Sequence, residues 1–164
     1  MSVGHIYRYF ASKNEIIQAI VRQDTEDTLA NMAELEARGD DLYQAVIEGV
    51  DENEEAALDR DRAALMLEVR AEAARNPAVA AVLEAADREL RSNFARLLAK
   101  AKPEGWTDAD LAARIELMAL MYDGIPTRIV SHPDLDRAAL FAMIRQTFAA
   151  LLDMPSASEG SKGL

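Results

Sequence analysis

Residues 2–17 read SVGHIYRYFASKNEII, a short aromatic segment joined to the start signal of a longer helix. Two tyrosines flank an arginine, Phe10 follows them, and Glu15 comes three residues after Ser12. That serine–glutamate spacing is typical of a capping box, in which each side chain accepts a hydrogen bond from a backbone amide of the other residue. The stretch predicts a short helix over residues 3–9 and a long helix that opens at Ser12.

Similar cap signals mark helix starts along the rest of the chain. Asn76 precedes Pro77, which is favoured at the first helical position, and Thr107 is followed three residues later by Asp110. No segment alternates apolar and polar residues as a half-buried strand would. The sequence therefore predicts an all-α fold with helices at 3–9, 12–36, 40 or 41–58, 61–75, 77–102, 107–130 and 136–152.

The composition restricts the class of protein. The chain has 164 residues, the size of one domain, and half of them are apolar. It contains no cysteine, which excludes disulfides and thiolate chemistry. Its longest apolar runs, such as LMALMY, are shorter than the roughly 18 residues that a membrane span needs, and its start lacks the pattern of a secretory signal. We expect a cytoplasmic protein.

The net charge of −11 is unevenly distributed along the chain. Residues 1–23 contain two arginines and one lysine against one glutamate, so this segment carries +2 and the remaining 141 residues carry −13. An acidic protein is repelled by the phosphates of nucleic acid. The charge distribution therefore separates an acidic body from a mildly basic N-terminal tip.

The last two predicted helices carry more apolar surface than one small bundle can bury. In the first helix, one stripe consists of Leu111, Ile115, Met118 and Tyr122. Much of the remaining surface is covered by Leu117, Leu120, Met121 and Ile125. The second adds Leu140, Phe141, Ile144, Phe148, Leu151 and Leu152. A helix that is apolar nearly all round needs cover on more than one side. We expect a homodimer through residues 108–152, packed as four helices across a two-fold axis; the alternative is a monomer with two core helices.

The opening stretch resembles the end of the helix-turn-helix of TetR-family transcriptional regulators. Their recognition helix typically reads S-x-G-x-L-Y-x-Y-F and is followed by a small residue, S-K-x-E and two apolar positions. Nine residues stand where this pattern requires them: Gly4, Ile6, Tyr7, Tyr9, Phe10, Ser12, Lys13, Glu15 and Ile16. Weaker likenesses follow in EVRAEAARNPAVAAVL at 68–83 and YDGI at 122–125, which resemble parts of the family's ligand domain.

The resemblance implies a domain order and a missing segment. The seven predicted helices correspond to the family's third through ninth, so two helices of the helix-turn-helix are absent. We therefore expect an N-terminally truncated chain, either because the start codon was assigned too late or because the sample was shortened. The implied parts are a helix-turn-helix remnant at 1–11, a helical ligand-binding and dimerisation domain at 12–152, and a flexible tail at 153–164.

Transferred residue by residue, the resemblance implies DNA contacts from the opening stretch. Val3, Gly4 and His5 would face the major groove. Tyr7 and Tyr9 would contact phosphate or sugar, and Lys13 would pair with a phosphate. The family often has a polar residue at the position of Val3. A valine cannot hydrogen-bond a base edge, although it can pack on a thymine methyl. From the residues alone, the alternative is an ordinary short aromatic helix at a domain edge.

The resemblance also implies a ligand cavity among the helices between residues 40 and 130. The candidates combine apolar reach with a few polar groups, as small-molecule sites usually do. They are Met66, Val69, Arg70, Phe94, Leu98, Met118 and Tyr122. Arg70 is the best candidate for binding an anionic ligand, although Glu68 and Glu72 could neutralise it. Each of the seven could instead be a plain core residue.

These observations predict a homodimeric TetR-type DNA-binding transcriptional regulator. We expect a repressor that a small-molecule inducer releases from operator DNA, with DNA binding only when the helix-turn-helix is complete. The alternative is a dimeric helical sensing or interaction module without DNA-binding activity. No nucleophile is paired with a base and an oxyanion donor, so we expect no enzyme activity, and we expect no cofactor. His5 and His132 are the only histidines, so we also expect no metal site.

Overall fold

The computed structural model describes residues 10–37, 42–52, 59–101 and 105–156, and these form helices without a strand. Within the described ranges no helix is long and apolar enough to cross a membrane. The predicted all-α fold is confirmed, and the helix predicted over residues 3–9 lies outside the described residues. The helices are α1 (Lys13–Ala37), α2 (Leu42–Glu52), α3 (Arg60–Ala73), α4 (Pro77–Ala101), α5 (Asp108–Ser131) and α6 (Arg137–Asp153).

The last two helices begin at the predicted caps. The Asp110 amide donates to Thr107 Oγ1 at 3.1 Å, and the Thr107 amide donates to Asp110 Oδ2 at 2.9 Å, which completes the capping box of α5. Asp136 caps α6 by accepting from the Ala139 amide at 3.0 Å. These contacts satisfy amides that a helix end leaves unpaired, so local sequence places both starts correctly.

At two other helices the cap differs from the prediction: α3 begins one residue early, whereas α1 begins after Ser12 as predicted but lacks one of the two bonds of its capping box. Asp59, and not Asp61, caps α3, because Asp59 Oδ1 accepts from the Asp61 and Arg62 amides at 2.9 and 3.1 Å. At α1 the Glu15 amide donates to Ser12 Oγ at 3.2 Å, but the Glu15 carboxylate accepts from Ala11 instead of Ser12. Neighbouring cap residues compete for the same amides, so the sequence alone leaves this choice open.

The main core surrounds α5, which packs against α3, α4 and α6, while α2 packs against α6. Its most deeply buried side chains are Leu97, Leu98, Met118, Ile129, Phe141, Phe148 and Leu152. A second cluster joins the first half of α1 to the end of α3 and the start of α4. Its buried members are Ile17, Val21, Val69 and Val79. The first half of α1 is therefore anchored directly to the α3–α4 junction.

The sequence predicts that the apolar side chains of α6 take part in a dimer interface, but most of them are buried within one protomer. Phe148, with Phe141 and Ile144, belongs to the core of a single protomer, and only 1% of Phe148 is exposed. The exposed large side chains of the helix pair are instead Leu117 (43%), Leu120 (63%) and Met143 (59%). One face of α5 thus packs in the core while the opposite face carries the uncovered Leu117 and Leu120. Ile125 and Met121, which the sequence groups with these leucines outside the stripe, pack on the core instead.

Residues 154–156, which the sequence assigns to a flexible tail, fold back onto the start of α5. The buried guanidinium of Arg114 donates to the carbonyl oxygens of Met154 and Pro155 at 2.7 and 3.1 Å. Ser156 is buried and donates to Asp110 Oδ2 at 2.7 Å. Residues 154–156 thus do not belong to a free tail, because Arg114 binds the backbone of Met154 and Pro155 and Asp110 binds the Ser156 hydroxyl. Residues 157–164 lie outside the described residues.

Candidate ligand-binding cavity

All six helices contribute to a cavity of about 370 Å³. This is within the size range of sites that bind small molecules. Five of the seven residues predicted for a ligand site line it: Met66, Arg70, Phe94, Met118 and Tyr122. The cavity therefore brings together residues of α3, α4 and α5 that lie up to 56 positions apart, from Met66 to Tyr122.

Val69 and Leu98, the other two predicted residues, are core side chains away from the lining. Val69 packs in the second cluster with Ile17 and Val79, so it faces the α1–α4 contact. Leu98 is one helical turn beyond Phe94 and is buried in the main core, where the cavity has ended. Both residues share the apolar pattern of the lining, and the pattern cannot tell cavity wall from packed interior.

The lining also extends beyond the predicted range of residues 40–130. The second half of α1 contributes Asp24, Thr28, Asn31, Met32 and Leu35. Phe148 of α6 closes another side and meets the Tyr122 ring edge-on, with ring centroids 5.5 Å apart and an interplanar angle of 73°. Most of the remaining wall is apolar, including Val46, Ile115 and Ala119. The site is thus a chamber whose wall is mostly apolar, with charged and polar side chains of α1, α3, α4 and α5 set into it.

Tyr122 is the polar group most deeply set in this wall. Burial raises the pKa of its hydroxyl to about 12, because the low-dielectric surroundings disfavour the phenolate. No residue in the described part of the chain forms a hydrogen bond with that hydroxyl. The tyrosine therefore stays neutral at physiological pH and keeps a donor and an acceptor for another molecule.

A proline inside α5 lies next to this tyrosine. Pro126 lines the cavity and has no N–H to donate to the carbonyl of Tyr122, four residues earlier. Proline at such a position bends a helix and weakens its hydrogen-bond ladder locally. The carbonyl of Tyr122 therefore lacks its usual helical donor, within a helix that is otherwise continuous from Asp108 to Ser131.

Three arginines line the cavity, and each is paired with a carboxylate on a neighbouring element. Arg62 of α3 pairs with Asp24 of α1. Arg70 Nη2 lies 2.6 Å from Asp123 Oδ1 of α5. The third pairing joins Arg91 of α4 to Asp87 of the same helix at 2.8 Å and to Glu116 of α5. The ion pairs bridge helices that enclose the cavity, and Arg70 is neutralised by Asp123 instead of Glu68 or Glu72.

Sequence reasoning missed the three aspartates of these pairs. Asp123 follows Tyr122 in the YDGI motif, so its position next to a predicted ligand residue could have indicated that it lies near the cavity. Nothing local indicates its partner, because Arg70 lies 53 residues earlier in the chain. The pairing with Arg70 is visible only after α3 and α5 are packed together.

The predicted DNA contacts fall mostly outside the described residues, which exclude Val3, Gly4, His5, Tyr7 and Tyr9. Lys13 is described: it is exposed at the start of α1, and its Nζ lies 2.8 Å from Glu72 Oε2 at the end of α3. Glu72 also accepts from Arg75 Nη2 at 2.5 Å. Lys13, the residue expected to contact a DNA phosphate, therefore pairs with the Glu72 carboxylate in this structure, while most of the lysine side chain remains accessible to solvent.

Comparison with known proteins identifies the family. Residues 40–153 match the family described as the C-terminal region of BetI-type transcriptional repressors. The chain is 32% identical to the HTH-type transcriptional regulator UidR of Escherichia coli K12 over 145 residues, which are 87% of this chain and 71% of UidR. UidR of Shigella flexneri matches to the same extent.

A solved structure gives the same result. Salmonella enterica GusR aligns with a TM-score of 0.65 and 25% identity, covering 94% of this chain and 80% of GusR. The sequence relatives are named as transcriptional regulators and not as enzymes. The predicted TetR-type regulator is confirmed: the chain belongs to the TetR family of transcriptional regulators.

Proposed function

We propose that this regulator is a cytoplasmic homodimeric repressor whose cavity binds a small-molecule inducer. The observation that carries the proposal is the cavity itself, an apolar chamber of about 370 Å³ with a neutral tyrosine and three arginines on its wall. Its lining mixes a large apolar area with few polar groups, which is the usual composition of a small-molecule site. Met66, Arg70, Phe94, Met118 and Tyr122 are the residues that we assign to the ligand.

The dimer forms through residues 108–152 in this proposal. Leu117 and Leu120 of α5 and Met143 of α6 are large, exposed and apolar. Exposed apolar groups on this helix pair support association with a second copy, because a two-fold axis places the same surface opposite itself. Both copies then bury the leucines that one protomer leaves in water.

Operator binding belongs to the helix-turn-helix that ends in residues 3–9, with Lys13 as a phosphate contact when that domain is complete. α1 follows this segment directly and lines the cavity with its second half. A ligand that binds better to one arrangement of α1 shifts the population toward that arrangement. Operator affinity falls if the favoured arrangement misaligns the two recognition helices with their half-sites.

The test selects binding sites from randomised duplex DNA with a chain that carries a complete helix-turn-helix. We expect inverted repeats whose half-sites are about one helical turn apart, or a multiple of that spacing. Lys13→Ala should weaken binding to all selected sites and reduce the slope of log affinity against log salt by about one. Arg22→Ala removes the same charge from the other side of the first turns of α1 and should change the slope less.

A second arm tests induction. Compounds that raise the unfolding midpoint of the protein are added to the operator complex in a gel shift, and at least one should dissociate it. Failure to select any DNA site would contradict the regulator; selected sites with no compound that dissociates the complex would contradict the inducer.

A further inference from the structure

We propose that Asp123 sets the charge selectivity of the cavity by neutralising Arg70, so that the cavity accepts an uncharged ligand with an apolar body and discriminates against anions. The inference rests on the proposed function, since it takes the cavity to be the ligand site. It names the chemical class of the ligand and a residue that determines it.

Asp123 occupies the guanidinium of Arg70 on a solvent-accessible part of the cavity wall, where the two side chains are 52% and 43% exposed. Arg70 Nη2 donates to Asp123 Oδ1 at 2.6 Å, and both residues line the cavity. A guanidinium binds a carboxylate or phosphate through its N–H groups, and here the protein already supplies that carboxylate. An anionic ligand would have to displace Asp123 and would then lie beside it as a like charge, which costs binding free energy.

The other cations of the lining have the same arrangement. Arg62 pairs with Asp24, and Arg91 pairs with Asp87 and with Glu116. In the part of the lining that the structure describes, three arginines are thus matched by three aspartates, and the formal charges cancel. No arginine of this described lining is left to attract an anion by excess charge.

The uncharged groups of the cavity define what fits. Phe94, Met66 and Met118 offer aromatic and thioether surface to an aromatic or aliphatic body. The Tyr122 hydroxyl, which carries its proton at neutral pH, can donate to a carbonyl or accept from a hydroxyl. The fitting class is therefore an uncharged molecule with an apolar body and a hydroxyl or carbonyl group.

Two fluorescent probes that differ by one charged group test the inference. N-phenyl-1-naphthylamine is uncharged, and 8-anilinonaphthalene-1-sulfonate is the same scaffold with a sulfonate. Dissociation constants of both are measured for the wild-type chain, Asp123→Asn and Asp27→Asn. Asp123→Asn keeps the shape of the side chain and removes its charge; Asp27→Asn makes the same change on the exposed face of α1, outside the cavity.

We expect the wild type to bind the uncharged probe more tightly. Asp123→Asn should raise affinity for the sulfonate by on the order of tenfold, because a like charge within a few ångströms of the ligand is removed. The affinity for the uncharged probe should change by less than about twofold, and Asp27→Asn should change the ratio of the two affinities little, since an exposed distant charge is screened. Ala119→Leu, which narrows the cavity, reports whether a probe binds there; Ala119→Val is the smaller alternative if the leucine prevents folding.

Two results would overturn the inference while leaving the cavity as the ligand site. In one, the wild type binds the sulfonate at least as tightly, with binding lost in the Ala119 variant. In the other, Asp123→Asn gains no more sulfonate affinity than Asp27→Asn. If instead narrowing the cavity at Ala119 affects neither probe, the assignment of the cavity in the proposed function fails together with the inference.

Discussion

Glu72 is the residue that ties the start of α1 to the junction of α3 and α4. Its carboxylate accepts from Lys13 at 2.8 Å, from Asn76 at 3.3 Å and from Arg75 at 2.5 Å, and Asn76 also donates to Asn14 at 3.0 Å. The hydrogen bond from Lys13, followed by those from Asn76 and Arg75, lowers the pKa of Glu72 from 4.5 to about 2. One carboxylate thus organises the polar surface beside the second apolar cluster.

The shifted pKa of Glu72 predicts a pH-dependent stability. A pKa that is lower in the folded state means that the contribution is fully present above about pH 4.5 and is lost as the pH falls through about 2. Glu72→Gln should therefore lower the urea midpoint at neutral pH, and the gap to the wild type should close as the pH approaches 2. Glu68→Gln, an exposed change one turn earlier on α3, should have little effect at any pH. A gap for Glu72→Gln that stays constant from neutral pH to pH 2 would refute the assignment.

Arg114 is the most completely bound charged side chain of the described core. Its guanidinium stacks on Trp106 at 3.8 Å from the ring centroid and donates to the Leu151 carbonyl at 2.9 Å, in addition to its bonds to Met154 and Pro155. An arginine can serve several carbonyls at once because its N–H groups form a rigid fork. The residue therefore holds the end of α6 and the segment after it against the start of α5.

We expect Arg114→Leu to destabilise the protein by about 2 to 4 kcal/mol, since buried carbonyls lose their donors and Asp110 loses a nearby cation. Arg114→Lys keeps the charge without the fork and should recover only part of the loss. Chemical unfolding monitored by Trp106 fluorescence and by circular dichroism measures both. A leucine variant as stable as the wild type would show that the segment after α6 adds little to the fold.

α5 is the element with two apolar faces, and only one of them is covered within a protomer. Met118 and Ile129 are buried on the core side, whereas Leu117 and Leu120 are exposed on the other. In the dimer that we propose, this helix would link the cavity wall to the contact between protomers. The uncovered face is the surface that our dimer proposal uses.

Leu120→Asp should convert the dimer to a monomer, because burying two unpaired carboxylates at a two-fold interface costs at least about 2 kcal/mol per protomer. The measurement is sedimentation velocity at several micromolar concentrations. Leu65→Asp, which replaces an exposed leucine of α3 outside the helix pair, serves as the control and should remain dimeric. A Leu120→Asp protein that sediments as a stable dimer would place the interface elsewhere.

For the whole molecule, the cavity predicts a coupling between ligand binding and global stability. A ligand that binds only the folded state stabilises it by about 2.7 kcal/mol at 100 times its dissociation constant. For a chain of this length that raises the unfolding midpoint by roughly 5 to 10 °C. We expect N-phenyl-1-naphthylamine near saturation to produce such a shift.

The shift should be reduced in Phe94→Ala, which removes an aromatic ring from the lining. Leu83→Ala shortens a partly buried side chain packed on the second cluster, away from the lining, so its shift should match the wild type even though its own midpoint is lower. Differential scanning fluorimetry with and without the probe compares the three proteins. Equal shifts in Phe94→Ala and the wild type would remove Phe94 from the site.

Helix positions and part of the cavity could be predicted from the sequence because their signals are local. Thr107 with Asp110 and Asp136 with Ala139 are contacts over three residues, and such contacts form wherever the chain turns into a helix. Met66 and Arg70, four positions apart, share a face of one helix for the same reason. The excess of apolar residues on α5 is likewise readable from helical periodicity.

The sequence does not show which distant residues pair with these side chains. Arg70 meets Asp123 over 53 residues and Arg62 meets Asp24 over 38, and nothing near either arginine selects its carboxylate among the many acidic residues of the chain. Similarly, Val69 and Met66 lie on the same helix but have different surroundings. Val69 packs against α1 and α4 in the second cluster, whereas Met66 faces the space that the neighbouring helices leave open. Periodicity assigns a residue to a face of its helix; the packing of the other helices decides whether that face meets a neighbour, a cavity or water.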